Sequence, residues 1–223
     1  MGDLIEFQTA SGPTSGYLAA PASGGPGVVV IQEWWGLVPH IVDVCDRFAA
    51  AGLTALAPDL YHGATTTEPD EAGKLMMALD MDRAAGDLSG AIDELCTRTG
   101  AAKVAVVGFC MGGGLAMLAA TRRGDAVRAC VPFYGVIPWE GPKAEWSALG
   151  GPILGHYAEN DGWAGPDVAG ALEADVRAAG GAADVHVYGG CDHAFFNDTR
   201  PEVYDAPASA LAWERTLAFL RSE

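Results

Sequence analysis

Six stretches of the chain are almost uninterruptedly apolar, and Gly, Pro or Asp punctuates their ends. They are GVVVIQ (27–32), TALAP (54–58), KVAVVGF (103–109), RACVPFYG (128–135), PILGHYA (152–158) and ADVHVYG (183–189). Runs without strict alternation predict strands covered on both faces, as in a parallel sheet. Between them the apolar positions shift to a spacing of three and four. Residues 38–51 carry Ile41, Val44, Cys45, Phe48 and Ala49 before stopping at Gly52, and residues 84–96 carry Leu88, Ala91, Ile92 and Leu95. Helices are likewise predicted over 111–122, 168–179 and 207–221.

Strands alternating with helices build right-handed crossover units and a mostly parallel sheet with helices on both faces. The opening LIEFQTASGPTSGYLAAP predicts an antiparallel hairpin at one edge of that sheet. Residues 61–82, YHGATTTEPDEAGKLMMALDMD, are more polar and follow a strand end, so they are expected to cap a site. No internal repeat or linker divides the chain, and residues 1–223 are expected to form a single α/β domain.

The composition, half apolar and 19% charged, is that of a globular protein large enough to bury a sizeable core. A net charge of −16 leaves no basic patch, which argues against nucleic-acid binding and would repel anionic ligands at a distance. The N-terminus has neither a basic nor an apolar signal region, and no apolar run is long enough to span a bilayer. Met1-Gly2 is followed at the sixth position by Glu6, which does not suit myristoylation. Five cysteines without metal-like spacing predict free thiols in a reducing compartment, so a cytoplasmic protein with no membrane partner is expected.

Ligands of open parallel sheets bind beyond the carboxyl ends of the strands. The polar residues that follow those ends are Glu33, Asp59, Cys110, Asp161 and His193. A nucleophile, an acid and a histidine thus occur in the order Cys…Asp…His. The frame Gly108-Phe109-Cys110-Met111-Gly112 matches a nucleophile elbow, in which a strand turns abruptly into a helix. Such a turn strains the nucleophile's backbone and leaves no room for side chains two residues to either side. The helix starting at Met111 would aim free N–H groups at the thiol, favouring thiolate and stabilising an oxyanion. His193, in GGCDHAFFN, follows the last strand and precedes the last helix. The acid position fits Asp161 best, with Glu159, Asp167 and Asp192 as neighbouring carboxylates.

QEWWGL (32–37), APDLY (57–61), GFCMGG (108–113) and DHAFFN (192–197), in that order, resemble the dienelactone hydrolase, or carboxymethylenebutenolidase, family. The resemblance runs from about residue 3 to residue 220. It implies an α/β-hydrolase fold and a cysteine enzyme that opens lactones or esters with no metal and no organic cofactor. It implies Cys110 as nucleophile, His193 as general base and acid, Asp161 as orienting acid and Glu33 as a modulator of the thiol. The backbone N–H groups of Trp34 and Met111 would form the oxyanion hole.

Members acting on dienelactone bind its carboxylate with two arginines, one of them four residues after the catalytic histidine. That position is Asn197 here, and TTTEPDEAGK, in the segment that would hold the other, contains no Arg, leaving Arg200 or Arg83 as substitutes. Asn197 is therefore expected at the substrate, and a neutral ester or lactone is the expected small-molecule partner. The chain is expected to be a monomer or small homo-oligomer. Two rival readings keep the fold without turnover: a ligand-binding module and a redox-sensing thiol protein. Among the other thiols, Cys45, Cys96 and Cys130 fall on apolar stripes and are expected to be buried, whereas Cys191 lies on a loop and could compete with Cys110.

Overall fold

The computed structural model describes residues 2–223 and gives each of the six apolar runs a strand. These are β3 (Gly27–Ile31), β4 (Thr54–Pro58), β5 (Val104–Phe109), β6 (Val127–Phe133), β7 (Ile153–Ala158) and β8 (Ala183–Tyr188). The hairpin of β1 (Asp3–Thr9) and β2 (Gly12–Ala19) precedes them. All eight form one sheet in the order β1-β2-β4-β3-β5-β6-β7-β8. The hairpin joins antiparallel to β4, and every pair from β4 to β8 is parallel.

That order fixes where the helices lie. The crossover from β3 to β4 runs toward the hairpin edge through α1 (Pro39–Ala50). The crossovers onward to β5 and β6 run the other way, through α3 (Met81–Thr99) and α4 (Met111–Arg122). Because each crossover is right-handed, α1 lies on one face and α3 and α4 on the other. With both faces covered, Val28, Val29, Val30 and Ile31 have no exposure at all. α5 (Pro166–Ala178) joins β7 to β8, and α6 (Ala206–Ser222) closes the chain beside α1, where the Phe48 and Trp213 rings stand 4.5 Å apart. Truncating the fully buried Phe48 to Ala would cost about 3–5 kcal/mol in transfer and cavity energy.

Helix ends follow local chemistry. The Asp80 carboxylate accepts from the amides of Asp82 and Arg83 at the start of α3, and Gly100 stops that helix in the left-handed region. Within 61–82 the chain forms an additional short helix, α2 (Pro69–Met77). Pro69 opens it, and Asp70 and Glu71 complement its N-terminal dipole. One strand departs from the expectation of cover on both faces. β8 is an edge strand, and Val187 on it is 44% exposed.

Candidate active site

The chain leaves β3 for β4 on one side and later reaches β5 on the other, so the sheet's switch point lies beyond β3 and β5. Ile31 pairs with Gly108 across these strands. Glu33 and Cys110, each two residues past that pair, therefore arrive together at the carboxyl end of the sheet.

Cys110 sits at φ 55°, ψ −119°, outside the regions that side chains normally favour. A Cβ at Gly108 would lie 1.9 Å from the Gly112 carbonyl oxygen, and one at Gly112 would lie 2.4 Å from the carbonyl oxygens of Ile31 and Gln32. Strand β5, helix α4 and the segment after β3 thus meet with no room for a methyl group between them. Hydrogen bonds then hold the turn. The Cys110 amide donates to Phe133 O at 3.0 Å, and the Cys110 carbonyl accepts from the amides of Gly113 and Gly114.

Asp161 and His193 arrive from the next pair of strands, β7 and β8, whose loops are tied by a hydrogen bond from the Asn160 amide to Cys191 O. Asp161 Oδ1 accepts from the amides of Trp163 and Ala164 at 2.8 and 2.9 Å, which fixes the carboxylate. Its Oδ2 lies 2.5 Å from His193 Nδ1. Burial disfavours the charged imidazole, but Asp161 and the nearby Cys110 thiol outweigh it and hold the His193 pKa up at about 10. Burial likewise works against the Asp161 carboxylate, yet His193 and the two amides leave its pKa below the usual value. Nε2 of His193 is buried with the Cys110 thiol as its neighbour, and Asp161 is already on Nδ1.

Of the rival carboxylates, Glu159 instead accepts from the Gly190 amide and Asp167 lies in the first turn of α5. Asp161 is the one that meets His193. Three of the four remaining histidines are engaged elsewhere. His156, fully buried, meets Tyr188 Oη and Thr216 Oγ1 with its two nitrogens, and burial pushes its pKa well down. His62 lies 3.1 Å from Asp87, and His186 lies 3.4 Å from Asp184.

Glu33 is 1% exposed and accepts hydrogen bonds from Tyr134 Oη at 3.3 Å and Asn197 Nδ2 at 2.8 Å. The Asn197 side chain is buried, and its Oδ1 accepts from the hydroxyl of Thr199 at 2.6 Å. Asn197 also lines the cavity beside the catalytic pocket. An amide donor fits there because the buried carboxylate needs hydrogen bonds and the site has little room. Tyr134 was not singled out by the sequence. Its signal was the tyrosine directly after β6, on a residue with φ 38°.

Cys110, His193, Asp161, Glu33 and Trp34 share one cavity of about 280 Å³ with Trp35, Trp163 and Arg200. Arg200 therefore does reach the pocket, whereas Arg83 lines a separate hollow beside Tyr61 and Leu79. No residue of 61–82 lines the Cys110 cavity; Thr66 and Thr67 line the neighbouring one. The amides of Trp34 and Met111 have no acceptor among the described residues. No group of three potential metal-binding side chains occurs among the described residues.

The other thiols divide differently from expectation. Cys45 and Cys130 are buried, and burial pushes both thiols up. Cys96 is only half-buried, because its thiol lies at the helix edge and donates to Ala102 O. Cys191 is 3% exposed, held under the loop that carries His193, and burial raises its thiol too.

A mostly parallel sheet entered by an antiparallel hairpin, with a thiol on a strained strand–helix turn, defines an α/β-hydrolase fold. A family model described as the dienelactone hydrolase family matches residues 14–223. The chain is 40% identical to "Protein usf" of Aquifex pyrophilus over 229 residues, covering 99% of this chain and 98% of that one. It is 35% identical over 230 residues to a "Putative carboxymethylenebutenolidase" of Aquifex aeolicus, covering 100% and 99%. Among solved structures it is similar to a "Putative Dienelactone Hydrolase" of Klebsiella pneumoniae, with a TM-score of 0.89 and 28% identity over the whole of both chains. The chain belongs to the dienelactone hydrolase family, and it is a hydrolase.

Proposed function

We propose that the protein hydrolyses lactones or activated carboxylic esters through a covalent thioester on Cys110. The observation that carries this reading is the 2.5 Å contact of Asp161 with His193 in the same cavity as the thiol on its strained turn. With its pKa held near 10, His193 stays protonated at neutral pH and stabilises a Cys110 thiolate. The thiolate sulfur attacks the acyl carbon and the carbonyl electrons move to oxygen. The free amides of Trp34 and Met111 are the donors for that oxyanion. Collapse breaks the acyl C–O bond, and His193 gives its proton to the leaving oxygen. Water then attacks the thioester while neutral His193 takes its proton, and the thiolate departs with the imidazolium restored. The net change is ester plus water to acid plus alcohol; a lactone gives one hydroxy acid. No metal or organic cofactor enters these steps.

Glu33 lines the same cavity as the thiol and is held by Tyr134 and Asn197. A second negative charge there disfavours thiolate in the empty pocket and restrains its reactivity until a substrate is bound. A thiolate is a better leaving group than an alkoxide, so the first step favours substrates whose leaving group is already activated, such as enol lactones and aryl esters. The relatives named carboxymethylenebutenolidase agree with a lactone substrate. Five free thiols suit a reducing compartment such as the cytoplasm.

A panel of lactones and p-nitrophenyl esters, assayed on wild type, Cys110→Ala and His193→Ala, tests the proposal. Both variants should fold normally and lose turnover. Wild-type rates from Cys110→Ala would sink it.

A further inference from the structure

Two more cavities abut the catalytic pocket, and each shares part of its wall. One, of about 430 Å³, shares Trp35 and Arg200 and continues over His40, Thr66, Thr67 and Thr199. The other, of about 580 Å³, shares Trp163 and continues over Val136, Trp146, Val168 and Leu172. An aromatic wall joins them across the pocket. Trp34 makes edge contacts with Trp35 at 5.1 Å and with Trp163 at 5.6 Å.

The two sides differ in chemistry. The Trp163 side is apolar and incompletely covered, with Trp163 54% and Val168 38% exposed. The Trp35 side is polar, and its arginine is already paired. Arg200 Nε lies 2.9 Å from Glu202, and His40 Nδ1 lies 3.4 Å from Asp198. A carboxylate placed there would meet Glu202, which lines the chamber and already holds Arg200. What that side lacks is a neutral hydrogen-bond partner. Thr199 already donates to Asn197 and Thr66 accepts from the Glu68 amide, which leaves the Thr67 hydroxyl, while His40, 1% exposed, has no hydrogen-bond partner for either ring nitrogen. A buried polar group of that kind is costly unless a ligand satisfies it.

We infer that the substrate is a two-sided ester, with an apolar, conjugated leaving group against Trp163 and a neutral, oxygen-bearing acyl chain in the Trp35–Arg200 chamber. The inference rests on the hydrolase reading above. The leaving group takes the apolar side because acyl transfer to a thiolate needs an activated one, and aryl and enol groups are flat and apolar. The acyl end takes the polar side, where an ether, hydroxyl or carbonyl oxygen meets Thr67 and His40 without adding charge.

The test uses p-nitrophenyl esters of pentanoic, 3-methoxypropanoic and succinic acid, which are similar in length and differ at the chain end. Each kcat/KM is divided by the ester's own hydroxide-catalysed rate constant. The methoxypropanoate should exceed the pentanoate by about 3- to 10-fold, the value of one neutral hydrogen bond, and the hemisuccinate should rank last. Thr67→Val should shrink the ratio of methoxypropanoate to pentanoate turnover, a ratio that any loss common to both esters leaves unchanged. Val168→Asp should lower kcat/KM for p-nitrophenyl acetate more than for trifluoroethyl acetate, whose leaving group is small. Hydrolysis of p-nitrophenyl acetate with no ranking among the three acids, or with the hemisuccinate best, overturns the inference and leaves the hydrolase standing. No hydrolysis of p-nitrophenyl acetate at all overturns both.

Discussion

Gly108→Ala tests the elbow on which the thiol is mounted. The added methyl would lie 1.9 Å from the Gly112 carbonyl oxygen, about 1.5 Å short of ordinary contact. Its next neighbours are Gly112 C and Gly113 N, so the obstruction is backbone rather than a side chain that could swing aside. Overpacking by one carbon in a compliant core costs about 1–3 kcal/mol, and a rigid wall puts this case at or above the upper end. At roughly 2–4 °C per kcal/mol for a chain of this size, Tm should fall by about 6–12 °C. Relief requires α4 to move off β5, which displaces Cys110 relative to His193. A misplacement of about 1 Å can cost on the order of 100-fold in rate.

Gly73→Ala is the matching control. It lies inside α2 with no heavy atom within 4 Å of the added carbon. The same substitution there should stabilise by about 0.5–1 kcal/mol and leave turnover unchanged. Differential scanning fluorimetry and initial rates of ester hydrolysis, measured well below both melting points, read the two effects separately. Gly108→Ala with wild-type Tm and wild-type turnover would refute the close approach of β5 and α4 as the basis of the elbow.

Asp161→Asn should lower kcat by about 10²- to 10⁴-fold with little change in KM, because the imidazole loses its orientation and the partner for its positive charge; an equal rise in KM would point to a substrate-binding role instead. Limited iodoacetamide labelling followed by mass spectrometry should find loss of activity tracking Cys110, with Cys96 labelled silently and Cys45, Cys130 and Cys191 protected until unfolding; inactivation that follows Cys191 would contradict this. The pH dependence of stability has a defined sign. The raised His193 pKa contributes stability that is complete below about pH 6.5 and is lost as pH rises toward 10, whereas the lowered Asp161 pKa contributes stability lost on acidification below about pH 4. Asp161→Asn should therefore flatten Tm against pH in both limbs, and an unchanged alkaline limb in that variant would show that Asp161 is not what raises His193.

The strands were legible because a parallel sheet needs apolar residues on both faces, a demand that leaves uninterrupted runs in the sequence. The elbow was legible for a related reason, since only Gly fits where Gly108 and Gly112 face other backbone. α2 was not legible. Its nine residues bury only Ala72 and Met76, too few to print a helical stripe. The bond from Asn197 to Glu33 was not legible, because sequence distance from His193 does not say which way a side chain turns; the turn from Ala194 to Asn197 brings the two together. Cys191 shows the same limit. A loop residue was expected to be open, yet this loop is pinned to the Asp161 loop through Asn160.

The hydrogen bonds to Glu33 bear directly on substrate charge. Its two donors, a phenol and an amide, are both neutral, so they satisfy the carboxylate without cancelling its charge. Asp161 brings a second negative charge, and a Cys110 thiolate would bring a third against one imidazolium. Arg200 reaches the pocket but carries Glu202 with it. A charged acyl chain entering this set would meet an excess of negative groups in a poorly solvated cavity, where Coulomb repulsion is stronger than in water. A neutral substrate instead leaves the accumulated negative charge to be felt only as the oxyanion forms and as it collapses. On the proposed mechanism, the charge that restrains the resting thiol would also oppose a lingering tetrahedral intermediate. On that mechanism Glu33 would then control the rate of both half-reactions rather than substrate affinity.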